Sequence, residues 1–100
     1  MVEKQSVLSQ LQQWYASQCD GDWEHGYGVA IGTLDNPGWR LKVDLRGTNL
    51  DGRTLAEKTY NYDDDIDWYV VRTADNKFEG AGGPAQLEKM IQEFLEFAGV

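Results

Sequence analysis

The chain has 100 residues, enough for one domain around one core. Hydrophobic residues make up 41% of it and aromatics 12%, which excludes a disordered polymer, and no apolar run approaches the roughly 20 residues of a membrane span. Lys and Arg number 9 against 17 Asp and Glu, a formal net charge of −8, so the chain repels nucleic-acid phosphates and anionic lipid and attracts basic partners.

The periodicity predicts a first helix from Lys4 to Gln18, with Val7, Leu8, Leu11, Trp14 and Tyr15 on one apolar stripe and Gly21 as a stop just beyond. Residues 27–46 read as a hairpin. Tyr27, Val29, Ile31 and Thr33 share one face, and Gly28, Ala30 and Gly32 the other, where something can approach the backbone closely. Pro37 and Gly38 suit the centre of a type II turn in "LDNPGW". In the following strand Trp39, Leu41, Val43 and Leu45 alternate with Arg40, Lys42, Asp44 and Arg46, a face for water or a partner. "TNLDGR" reads as a turn, Thr54–Tyr62 as a third strand and "DDDID" as an acidic corner. Trp68–Thr73 is a fourth strand, "ADNK" a tight turn and Lys77–Gly80 a fifth strand. A last helix is expected from Pro84, with Leu87, Met90, Ile91, Phe94, Leu95 and Ala98 as its apolar stripe and Gly99 as its end. Short links imply an antiparallel meander. The expected fold is α+β: N-terminal helix, four- to five-stranded meander sheet and C-terminal helix, both helices on one sheet face.

The stretch "QCDGDWEHGYG" concentrates the chain's reactive side chains. Asp20, Asp22 and Glu24 alternate like ligands 1, 3 and 5 of a calcium loop, but His25 and Ile31 stand where that loop needs glycine and a bidentate glutamate. Zinc asks for about four ligands, and Cys19 and His25 have no second Cys or His to join them. As a nucleophile, Cys19 is badly placed: a helix C-terminus and three acids disfavour the thiolate. "GAGG" at residues 80–83 precedes a helix without the Lys-Ser or Lys-Thr of a phosphate loop, and reads as a turn from strand to helix. No cofactor or metal is expected. Trp14 and Trp39 fall on apolar stripes, whereas Trp23 and Trp68 flank acidic loops and either anchor an interface or cover a core edge.

"LQQWYASQCDGDWEHGYGVAIGTLDNPGWRLKVDL" (residues 11–45) and "FEGAGGPAQLEKMIQEFLEF" (residues 78–97) resemble bacterial polymorphic-toxin immunity proteins, the family catalogued as immunity protein 53. The resemblance implies a non-enzymatic protein, made beside a toxin, that binds the toxin domain and blocks it. An acidic chain suits a basic toxin such as a nuclease. The contacts expected are Asp63, Asp64, Asp65 and Asp67 first, then Asp22, Trp23 and Glu24. Cys19, Asp20, Gly21, His25, Asn36, Pro37, Gly38 and Trp39 are expected to serve the fold. The N-terminal stretch has neither a basic start nor a continuous apolar segment, and the single cysteine suits a reducing compartment, so the expected location is the cytoplasm, as monomer or homodimer. The competing reading is a small enzyme, or a metal- or ligand-binding protein, using the Cys19–His25 region.

Overall fold

The computed structural model describes residues 5–100. Its elements are α1 (Val7–Gln18), α2 (Trp23–Gly26), β1 (Val29–Leu34), β2 (Gly38–Asp44), β3 (Lys58–Tyr60), β4 (Tyr69–Ala74), β5 (Lys77–Gly82) and α3 (Leu87–Ala98). The fold is α+β: two long helices and a five-stranded antiparallel open sheet. Helix α1 begins behind Ser6, whose Oγ accepts the Ser9 N–H at 3.0 Å. The expected start at Lys4 lies outside the described residues.

Strand order is β1-β2-β5-β4-β3, which corrects the expected simple meander. Strand β5 lies between β2 and β4, while β3, exposed along its whole length, takes the far edge. The segment 45–57 is what breaks the meander. It is not a tight link between neighbours but a loop that buries Leu45 and Leu50 and carries the chain past the sheet end. Thr48 holds it, its Oγ1 donating to Leu45 O at 2.7 Å and accepting from Leu50 N at 3.0 Å. Asn76, in the β4–β5 turn, receives the Gly52 N–H at 2.9 Å and donates to Asp51 at 2.9 Å. That turn is tight because Asp75 and Asn76 both adopt positive φ, 52° and 60°.

A second correction concerns Gly38. It pairs with Leu34 inside the sheet, so the hairpin loop is Asp35, Asn36 and Pro37. Gly38 is required by packing, not by turn conformation: a Cβ there would overlap the carbonyl oxygen of Gly82.

The register sorts the side chains by face. Leu41, Val43, Tyr69, Val71 and Phe78 point to the helices and are buried with Met90, Ile91, Phe94 and Leu95 of α3. Helix α1 lies beside α3 on the same face, Trp14 meeting Phe94 edge to face at 4.9 Å and Leu11 lining a shallow cleft with Val29. Among the described residues nothing covers the opposite face, where Arg40, Lys42, Arg72, Glu79 and Ala81 line up.

At the β3 edge, Tyr69 Oη donates to Glu93 Oε2 at 2.6 Å and Lys58 Nζ to Glu93 Oε1 at 2.9 Å. Burial, together with the adjacent Glu93, pushes the Tyr69 hydroxyl up to about 12. Burial also pushes the Glu93 carboxyl upward, but the hydrogen bonds from Tyr69 and Lys58 outweigh it and hold the group below its ordinary range. Because the folded Tyr69 value lies above the reference value of 10.0, its contribution is complete below that pH and is lost as pH climbs toward about 12. Glu93 behaves in the opposite sense, its contribution being lost as pH falls through its depressed value. Tyr69→Phe is expected to lower stability by about 1 kcal/mol at neutral pH and to flatten the alkaline fall. Urea unfolding across that range checks both.

Candidate partner-binding surface

The loop 61–67 joins β3 to β4 and carries Asp63, Asp64, Asp65 and Asp67, all exposed. Its like charges are accommodated because the loop is built on its own polar groups. Asn61 turns it with φ 53° and accepts the Asp64 N–H at 2.9 Å. Asp64 Oδ1 accepts the N–H groups of Asp67 and Ile66, both at 2.7 Å, and these two bonds hold its carboxyl below the usual range. Asn61 Nδ2 donates to Asp67 O at 2.7 Å, and Gln86 Nε2 donates to Asp67 Oδ1. Two of the four carboxylates therefore serve the fold. Asp63 and Asp65 make no hydrogen bond among the described residues, and the ion pairs found there, Lys58–Glu93 and Arg72–Glu79, lie elsewhere.

The same loop exposes apolar surface that charge counting passed over. Ile66 is 69% exposed and Tyr62 64%, the highest values among the large hydrophobic side chains. Tyr62 stands edge to face on the half-buried Trp68, ring centres 6.0 Å apart. The clue in the sequence was an isoleucine inside a run of aspartates: an apolar residue with no stripe to join.

"CDGDWEH" folds inward. Asp20 Oδ1 accepts the N–H groups of Trp23 and Asp22, both at 2.9 Å, and its carboxyl is held below the usual range by them, Trp23 first. Glu24 accepts from Gly21 N at 2.9 Å and Asp20 N at 3.0 Å. Its own backbone N–H, then those of Asp20 and Gly21, lower its carboxyl against the opposing effect of burial. Gly21 closes the turn at φ 95°. The knot drives Trp23 into the core, where it is 4% exposed and meets Trp14 edge to face at 6.1 Å. Of Asp22, Trp23 and Glu24, only Asp22 presents at the surface a side chain that makes no hydrogen bond among the described residues; the Trp23 indole is out of a partner's reach.

The other signature segments meet each other. Gly38 packs on the Gly82 backbone, and Trp39 Nε1 donates to Pro84 O at 2.9 Å. The "GAGG" glycines act by close approach, since neither Gly82 nor Gly83 has positive φ. A Cβ on Gly83 would overlap the Ile66 carbonyl oxygen, so this glycine seats the acidic loop on the sheet.

Cys19 is half-buried, its thiol donating to Tyr15 O at 3.3 Å, while His25 is exposed on α2. No group of three or more His, Cys, Asp or Glu side chains is arranged to hold a metal ion among the described residues. No described helix is long and apolar enough to cross a membrane.

The family model for immunity protein 53 matches residues 8–99, and the chain belongs to that family. No curated protein and no solved structure matches it. The family match spans both the inward-folded "CDGDWEH" knot and the Gly38–Gly82 contact.

Proposed function

We propose that this protein neutralises a bacterial polymorphic toxin by binding the toxin domain in the cytoplasm and covering its active surface, without chemistry of its own. The immunity class comes from the family match. The toxin's basic character is argued from the chain, whose net charge is −8. One observation carries the contact surface: the loop 61–67 is held by its own hydrogen bonds and presents Ile66 and Tyr62 among carboxylates that no described cation answers. Exposed aromatic and aliphatic area ringed by fixed charge suits an interface, because the charges speed encounter and the apolar centre supplies affinity. A loop ordered before binding also loses little entropy on docking.

The test uses a toxin domain that this chain captures in a pull-down, sought first among the products of neighbouring genes. Asp63→Asn with Asp65→Asn removes the two carboxylates that serve no fold contact, so the melting temperature is expected to stay put. Association is expected to slow about tenfold at low salt, with a shallower salt dependence. An association rate equal to that of the parent at every salt concentration would remove this loop from the interface. The reading that makes Cys19 and His25 reactive draws no support from the geometry, since the thiol's hydrogen bond goes to a backbone carbonyl.

A further inference from the structure

The open sheet face is a trough of about 460 Å³. Cross-strand register decides its electrostatics. In one row Lys42 stands opposite Glu79, and Glu79 opposite Arg72, with Arg72 Nη2 3.5 Å from Glu79 Oε1. In the next, Asp44 stands opposite Lys77. Each of these charges has an opposite charge beside it, the arrangement that stabilises sheets locally. The third row differs. Arg40 stands between Gly32 and Ala81, with Val70 beyond Ala81. Arg40 is exposed and forms no ion pair among the described residues.

Resting on the toxin-binding reading, we infer that the toxin domain seats on this open face as well as on the loop 61–67, with a toxin Asp or Glu carboxylate on Arg40 and an apolar toxin side chain over Ala81 and Val70. A guanidinium with free donors pairs carboxylates through its planar fork, and the small residues flanking Arg40 leave room for that approach. Phosphate would also suit a guanidinium. A polyanion is disfavoured here, because the carboxylates of Glu57 and Glu79 line the trough and the acidic loop lies close by, its Ile66 carbonyl beside Gly83, two residues beyond Ala81. A protein segment of mixed charge satisfies both ends, cations toward Asp63 and Asp65 and a carboxylate toward Arg40.

Titration of the ¹⁵N-labelled full chain with an inactive form of the toxin domain so captured is expected to shift the amides of Gly32, Val70 and Ala81 together with those of the loop. Arg40→Gln is expected to weaken binding at least about tenfold, chiefly through faster dissociation, with no change in melting temperature because the side chain is exposed. Arg40→Glu should weaken it further. Unshifted amides on the open face, or an Arg40→Gln affinity within twofold of the parent, overturns the inference. If the Asp63 and Asp65 substitutions still slow association in that case, the loop reading stands alone. If neither set has an effect, both fail.

Discussion

Trp23→Ala is expected to destabilise the fold by about 3–5 kcal/mol, the range for emptying a large aromatic site in a core. The indole is 4% exposed, edge to face with Trp14 and 5.7 Å from Tyr15, and Trp14 passes the contact to Phe94 of α3. The cavity would open where both long helices and the "CDGDWEH" knot converge, and Asp20 and Glu24 would go on folding a turn with nothing to hold in place. Small domains have about 5–15 kcal/mol in total, so the loss is a large share of it. Trp23→Phe is expected to be much milder. It keeps an aromatic ring and removes an indole N–H that is buried without a hydrogen-bond partner, as is that of Trp14. Denaturant unfolding of the two variants checks the order. Equal losses would mean that ring packing is not what the site contributes.

Gly83→Ala is the second large effect, and it links fold to function. The added methyl would overlap the Ile66 carbonyl, a backbone atom that cannot rotate away. Either the sheet end or the loop must move, and the loop is the softer of the two. Overpacking of this kind costs about 1–3 kcal/mol or more. Displacing the loop also breaks the reach of Gln86 to Asp67 and moves Ile66 and Tyr62. Gly83→Ala is therefore expected to weaken toxin binding beyond what its stability loss explains, and to speed proteolysis within residues 61–67. Gly26, where a Cβ would meet nothing within 4 Å, is the control: Gly26→Ala should change neither. Loop cleavage no faster than in the parent would show that Gly83 does not seat the loop.

How much of this was legible varies with the range of the interaction. Helical stripes such as Leu87, Met90, Ile91, Phe94 and Leu95 are local, repeating every turn, and the helix lies where the pattern put it apart from a start at Leu87. The Asp75–Asn76 turn was equally plain, because residues tolerant of positive φ announce it. Strand order was not legible. Pairing of β2 with β5 joins residues far apart in sequence, and the segment that allows it, 45–57, divides by sequence into a turn at "TNLDGR" and the start of a third strand at Thr54, whereas Leu50 is core and β3 begins only at Lys58. The candidate surface split the same way. Carboxylates can be counted from a sequence, but whether a carboxylate faces solvent or caps an N–H depends on a fold two or three residues around it. That is what separates Asp63 and Asp65 from Asp64, and Asp22 from Asp20.

From residue order alone came the α+β class, the excess of negative charge, the two amphipathic helices and the family, because each is a property of composition or of short-range spacing. Only the tertiary structure placed β5 at the centre of the sheet, sank Trp23 into the core, left Ile66 at the surface and set Arg40 in a row without an opposite charge. Those outcomes depend on which distant surfaces exclude water from each other, and burial of that kind has no period along the chain.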